Sequence, residues 1–185
     1  MKMFKFGLLI LLFLYWPASS FAEQAPKKVV DLAHNALVLY GKDPLLVAVV
    51  KGQNAEGKTL AEIKKLDTIW KETSGIADYM KEMMESECAD YLKRIQKSKS
   101  YFAEIFLMDN QGANVAITNK TSDYWQGDEA KFQKAFNQEA GGVFVDKVKF
   151  DSSTNAKLAQ VSVPIMDGNK AIGVITFGIN VAKIK

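Results

Sequence analysis

The fold of this chain is decided by the stretch Tyr101–Glu129, YFAEIFLMDNQGANVAITNKTSDYWQGDE. Residues 101–108 form an almost wholly apolar run, which is typical of a central strand covered on both faces. Asp109-Asn110-Gln111-Gly112 predicts a hairpin turn, and 113–118 predicts the return strand. An aromatic and acidic loop follows at 121–129. Such a loop beside a rigid sheet is an expected place for a small-molecule pocket.

Upstream of this stretch, apolar residues recur at helical spacing. The spacing predicts helices over 29–40, 43–50 and 59–96, the second begun by Asp43 with Pro44 and the third by a capping box of Thr59 and Glu62. Ser74-Gly75 can interrupt or bend the long helix. The apolar stripe from Leu60 to Ile95 exceeds what one small sheet needs. Its N-terminal half therefore needs a partner, either the preceding helices folded back or a second subunit.

Downstream, the pattern predicts a short helix from Asp128 to about Phe136 and three more strands, over 143–150, 157–165 and 171–181. Together these elements predict an α+β, PAS-like domain: a five-stranded antiparallel sheet with a long N-terminal helix. The helix covers one face of the sheet, and the loop and short helix form a roof over the other, ligand-binding face.

The N-terminus has the layout of a secretory signal peptide over 1–22. Lys2 and Lys5 precede an apolar run, and Ser20-Phe21-Ala22 supplies a small-x-small site. A retained membrane anchor is the competing interpretation, although the apolar run is short for a membrane span. We therefore expect a periplasmic protein with N-terminal helices over 23–58 and a sensor domain over 59–185, with its sheet over 101–181.

Composition argues against several other classes of protein. The formal net charge is +3, and lysines alternate with acids on most segments, so no nucleic-acid-binding stripe is present. Cys88 is the single cysteine, which excludes an internal disulfide. His34 is the single histidine, and no nucleophile, haem-attachment or phosphate-loop motif accompanies it. We expect the protein to have no catalytic activity and to bind no cofactor. A cation held by Asp123, Asp128 and Glu129 is a minor alternative to their role as capping groups.

Three segments of the chain resemble extracytoplasmic Cache, or PDC, sensor domains of bacterial signalling proteins. They are TSDYWQGDE at 121–129, FLMDNQG at 106–112 and VSVPIMDGNKAIGV at 161–174. The similarity covers roughly Leu60 to Val181 and is strongest to periplasmic proteins with a single Cache domain. The resemblance implies a pocket between sheet and roof and a small metabolite as ligand, often a carboxylate or an amino acid.

The resemblance also implies roles for individual residues. An aromatic pair, matched here by Tyr124 and Trp125, would hold a ligand's carboxylate together with a basic residue. The usual arginine is absent from the loop, and Lys120 is the nearest cation. Asp146 or Asp151 would hold an amine.

Polar side chains on the strand over 157–165 add to this site. Gln160 and Ser162 share one side of that strand and either line the pocket or satisfy one another and neighbouring groups such as Thr176. The predicted ligand-binding residues are Lys120, Asp123, Tyr124, Trp125, Asp128, Asp146, Gln160 and Ser162.

The sequence thus predicts a non-catalytic periplasmic sensor that binds a small carboxylate or amino-acid-like metabolite and signals through a separate, membrane-bound partner. It would be a monomer, or a homodimer formed through the long helix. The alternatives are a structural or interaction protein whose sheet cavity is filled by its own side chains, and a passive ligand carrier.

Overall fold

The computed structural model describes residues 23–151 and 154–185, so the predicted signal peptide lies outside the described residues. The helices are α1 (Lys27–Asn35), a 3₁₀ helix (Leu37–Lys42), α2 (Pro44–Ala55), α3 (Leu60–Glu72), α4 (Asp78–Glu85), α5 (Glu87–Ser98), α6 (Ala130–Phe136) and a 3₁₀ turn (Asn137–Glu139). The strands are β1 (Phe102–Met108), β2 (Asn114–Ile117), β3 (Phe144–Val145), β4 (Lys149–Asp151), β5 (Ala156–Asp167) and β6 (Lys170–Asn180). Within the described part of the chain, no helix has the length and apolarity that a membrane span requires.

The strands form one antiparallel sheet in the order β2-β1-β6-β5-β3, with β4 also paired to β5. The α+β architecture predicted from the sequence is therefore confirmed. The single strand predicted over 143–150 is instead two short strands along β5, separated by residues 146–148. Because β3 and β4 occupy one position beside β5, the sheet has the predicted width.

One face of the sheet, here called the back face, is covered by α1, the first 3₁₀ helix, α2 and α5. The side chains of Ile105 and Phe177 lie in this core and are fully buried. The Asp43 carboxylate caps α2, as predicted, by accepting hydrogen bonds from the amides of Leu45 and Leu46 at 3.0 and 3.2 Å. Its other oxygen accepts from the Tyr91 hydroxyl at 2.6 Å, which ties α2 to α5.

The opposite face, here called the front face, carries Glu104, Phe106, Gln160 and Thr176. Helices α3, α4 and α6 pack on its apolar half in a second core together with the loop over 119–129. We call this loop and α6 the roof. The predicted roof over the front face is thus present, and it packs against α3 as well as against the sheet.

The prediction of one long helix over 59–96 is wrong, because the segment forms three helices. The Thr59–Glu62 capping box begins α3 as predicted, and α3 ends before Gly75, whose φ of 74° is unfavourable for other residues. The Ser86 hydroxyl then caps α5 by accepting from the Ala89 amide. Each break lets the chain turn, so α3 and α4 reach the front face while α5 covers the back.

The partner of α3 within the chain is not the preceding helices, which were one of the two predicted alternatives. Ile63 and Trp70 are fully buried against Tyr124 of the roof, in the second core. Helices α1 and α2 pack on the other side of the sheet and do not fold back over α3. The apolar stripe therefore packs on both faces of the sheet, and its N-terminal half is covered by a loop more than fifty residues away in sequence.

Candidate ligand-binding site

A cleft of about 330 Å³ opens between the front face and the roof. Its floor is the polar half of the sheet face, and its walls are the roof loop, α6 and the β4 segment. The lining residues are Glu104, Phe106, Lys120, Thr121, Ser122, Gln126, Lys131, Phe150, Asp151 and Gln160. Half of the front face is therefore packed solid and the other half is open.

Glu104 is the acid on the floor of the cleft, and it is only 7% exposed. Gln160 donates a hydrogen bond to its Oε1 from Nε2 at 3.0 Å. The opposite residue on β6 is Gly178, where a Cβ would collide with the Glu104 side chain, so this glycine provides the space. Burial raises the pKa of Glu104 above its ordinary value, because the charged form loses hydration; the bond from Gln160 and the charge of Lys131 act in the opposite direction.

The two cations of the cleft are engaged within the protein. Lys120 Nζ donates to the carbonyls of Thr73 and Gly75, both at 2.8 Å. Lys131 Nζ donates to Gln126 Oε1 at 2.9 Å and forms an ion pair with Glu129 at 3.2 Å. Lys120 therefore connects the cleft to the turn between α3 and α4, and Lys131 fixes the roof internally.

A buried carboxylate holds the roof loop in place. Asp67 of α3 is 6% exposed, and its Oδ1 accepts from the backbone amides of Tyr124 and Trp125 at 2.9 and 3.0 Å. Its Oδ2 accepts from Lys71 at 2.6 Å. Nearby, Trp70 Nε1 donates to the Thr121 carbonyl at 2.8 Å. Since these bonds satisfy buried backbone groups, they hold the loop in one conformation.

Comparison with known proteins identifies the family. A family model described as methyl-accepting chemotaxis protein-like, first PDC sensor domain, matches residues 68–185. The chain belongs to this family. The match begins within α3 and includes every strand of the sheet. A search of curated proteins found no match to this PDC domain.

Solved structures similar to the PDC domain are sensor domains at low sequence identity. The sensor domain of the Vibrio cholerae histidine kinase DctB matches with a TM-score of 0.47 and 16% identity over 85% of this chain and 50% of that one. The Campylobacter jejuni chemoreceptor Tlp3 with isoleucine bound gives 0.41 and 16% over 87% and 69%. The Pseudomonas aeruginosa amino-acid chemoreceptor PctC with GABA gives 0.38 and 14% over 76% and 61%. The chain spans half the length of the DctB domain.

Of the predicted ligand-binding residues, Lys120 and Gln160 line the cleft of the PDC domain. Asp146 is paired with Lys149 at 2.6 Å and lines an adjoining cleft of about 120 Å³ that shares Gln160 and Asp151 with the first. Asp151, the alternative to Asp146, lines both clefts. These residues come together because β4 and β5 lie side by side.

The aromatic pair lies outside the cleft. Tyr124 is buried against Trp70, with ring centroids 5.8 Å apart. Trp125 donates from Nε1 to the Gln111 carbonyl at 2.7 Å, and Lys64 lies 4.6 Å from its ring centroid. Both rings thus face α3 and the β1–β2 hairpin. The reason is that the amides of both residues bind Asp67, which turns this part of the loop away from the open half of the sheet.

Three further predicted residues also lie outside the cleft lining. Asp123 faces Lys71 at 3.5 Å, and Asp128 is exposed before α6. Ser162 is fully buried and shares a hydrogen bond of 2.8 Å with Thr176, its cross-strand neighbour. The two hydroxyls satisfy one another, which is the second of the two alternatives predicted for this strand.

Sequence reasoning missed Glu104, Gln126 and Lys131. Glu104 carried a usable signal, because it is the one charged side chain within an otherwise apolar central strand. Gln126 and Lys131 carried none, since polar residues in a loop and on a short helix are ordinary.

Among the described residues, no group of three His, Cys, Asp or Glu side chains is placed to hold a metal ion. Burial raises the pKa of the Cys88 thiol to about 12.

Proposed function

We propose that this PDC domain is a periplasmic sensor that binds a small metabolite in the cleft beneath the roof. The single observation that carries the proposal is the cleft itself, a polar opening of about 330 Å³ on a sheet face whose apolar half is covered by the second core. Family membership supports it, because the family is one of sensor domains. The proposal assigns no catalytic step to any residue.

The ligand expected from the resemblance is a small carboxylate or an amino-acid-like compound. The chemoreceptor structures similar to this chain contain isoleucine or GABA, which are small zwitterions. The cleft has acids and lysines among its lining residues, as a site for a charged metabolite requires. Signalling would use a separate, membrane-bound partner.

The mechanism that fits this site is a shift between two arrangements of the roof. A ligand that binds one arrangement more tightly increases its population. Lys120 offers a route for the change, because it lines the cleft and also binds the two carbonyls at the α3–α4 turn. Ligand contact with the roof would thus alter the position of α4 relative to α3.

Thermal-shift screening of the exported, purified protein against a metabolite panel tests the proposal. A ligand that binds only the folded state raises the melting temperature. Ser122 is exposed at the cleft wall, so Ser122→Trp should fill the opening and remove the response. Asp128→Trp is the matched control, because Asp128 is exposed in the same loop but outside the cleft lining.

The outcomes separate the proposal from its rivals. A response lost in Ser122→Trp and kept in Asp128→Trp supports the cleft. The opposite pattern would move the site to the acidic end of the loop. A panel without any response would favour a structural or interaction protein. A response that never changes the affinity for a membrane-bound partner would favour a passive carrier.

A further inference from the structure

We infer that the cleft recognises the ammonium group of its ligand through the carboxylate of Glu104. The inference rests on the proposed ligand-binding function and narrows it to primary amines, with or without other groups, excluding simple carboxylates. It concerns a residue on β1, away from the aromatic loop that first suggested a site.

The first argument is a comparison of the charged groups that line the cleft. Lys120 already donates to two backbone carbonyls, and Lys131 to an amide oxygen and a carboxylate. An anionic ligand would have to compete with these bonds. Glu104, by contrast, forms no ion pair with any residue that the structure describes, and its one hydrogen bond there comes from the neutral amide of Gln160.

The second argument is the position of that carboxylate. An acid that is more than nine-tenths buried normally has a cationic partner, because an unpaired charge loses its hydration without compensation. Glu104 lines the cleft, so a cation can reach it from there. Gln160 occupies Oε1 alone, which leaves Oε2 without a hydrogen bond from the described residues. A ligand ammonium donating to Oε2 would supply the missing partner.

The third argument is the surroundings of the carboxylate. Phe106 lines the floor together with Glu104, and the exposed ring of Phe150 lines the wall, so an alkyl chain behind the ammonium would contact apolar surface. The charged groups that act on Glu104 are Asp151 on β4 and Glu129 before α6, which are acids, and Lys131 on α6, which is a base. Lys131 already binds Gln126 and is paired with Glu129, so a ligand cation would supply Glu104 with an ion pair that this lysine does not.

Titration of the ¹⁵N-labelled exported protein, followed by NMR, tests the inference with matched probes. Butylammonium and butanoate have the same chain length and opposite charge. We expect butylammonium to shift the backbone signals of Glu104 and Gln160, and butanoate to leave them in place. Glu104→Gln should weaken butylammonium binding by at least about tenfold, the loss of one charge-assisted hydrogen bond. The control Glu82→Gln, at an exposed position on α4, should bind as the parent does.

The remaining outcomes overturn the inference or the function beneath it. Binding of butanoate at the cleft, or unchanged butylammonium binding in Glu104→Gln, would overturn ammonium recognition while the ligand-binding function stands. Ammonium recognition would also be overturned if metabolites without an amine raised the melting temperature and amines did not. If neither probe nor any metabolite of the panel binds, the ligand-binding function itself fails.

Discussion

Glu104 places an acid where the fold alone would favour an uncharged residue. Its pKa is raised by burial, so the folded state holds the proton more tightly than the unfolded state. The contribution of Glu104 to the free energy of unfolding therefore decreases as the pH rises from the pKa of the unfolded state through the higher pKa of the folded state. We expect Glu104→Gln, which resembles the protonated acid and can still pair with Gln160, to raise the stability at neutral pH.

Urea unfolding of both proteins across a pH series measures this effect. Asp109, whose pKa is also raised by burial, is present in both, so the difference between the two profiles isolates Glu104. Glu82→Gln on exposed α4 should leave the profile unchanged. A Glu104→Gln protein less stable than the parent at neutral pH would contradict the argument.

Ser162 and Thr176 form a closed pair in the same sheet face. Each hydroxyl is fully buried and satisfied by the other at 2.8 Å. Ser162→Ala should cost about 1–3 kcal/mol, since it leaves the Thr176 hydroxyl without a partner. The double variant Ser162→Ala with Thr176→Val should recover much of that loss, because both polar groups are then gone. A double-mutant cycle in urea checks this, and strictly additive costs would show that the pair is not coupled.

At the scale of elements, α3 holds the roof loop through one side chain. Asp67 accepts from two loop amides, so Asp67→Ala would leave both buried donors unsatisfied and should cost about 1–3 kcal/mol or more. Asp67→Asn keeps an acceptor oxygen in the same place and should cost less. Asp78→Asn, at an exposed acid of α4, is the control for loss of charge. Equal costs for the first two variants would show that the ion pair with Lys71, and not the amide bonds, matters.

The turn between α3 and α4 is the second element-scale connection. Because Lys120 joins it to the cleft, ligand binding should slow hydrogen exchange in α4 and α5, between Ile76 and Ile95, as well as in the roof. Lys120→Met should confine the protection to the roof, and Lys65→Met, at an exposed lysine of α3, should not. Protection limited to 119–131 in the parent protein would favour a passive carrier over a sensor.

At the scale of the whole molecule, the two cores have different roles. The core on the back face joins four helical segments to the sheet. The second core, on the front face, extends to Phe106, which also lines the cleft, and Glu104 and Gln160 form the polar part of the cleft floor. If the cleft binds a ligand as we propose, this division would allow the roof to respond while the core on the back face keeps the sheet fixed.

The oligomeric state, predicted as a monomer or as a homodimer through the long helix, belongs to the scale of the whole molecule. Ile63 and Trp70, the residues expected to need a partner, are buried within the chain. The exposed large apolar residues near them in sequence are Leu60, Ile69 and Ile76, at 42%, 44% and 51%. Light scattering at micromolar concentration should therefore report the same mass for the parent and for Ile69→Glu. A dimer dispersed by Ile69→Glu would show that α3 is an interface.

The sequence by itself determined the features that depend on neighbouring residues. The Asp43 cap, the Thr59–Glu62 capping box and the 109–112 hairpin are each set by groups a few residues apart, which is why they could be predicted. The apolar alternation likewise identified the long strands, and three short segments identified the family. The prediction of a single strand over 143–150 was wrong because the pairing of this segment depends on β5 and not on its own pattern.

Only the tertiary structure decided which side chains meet in the cleft. Glu104 faces Gln160 because β1 and β5 flank β6 in one sheet, and sequence order cannot give that register. Trp125 turns away because Asp67, far earlier in the chain, binds its amide. The long apolar stripe was divided between two faces by breaks whose direction depends on what each piece packs against. Local patterns fix the elements, whereas long-range packing fixes where their side chains point.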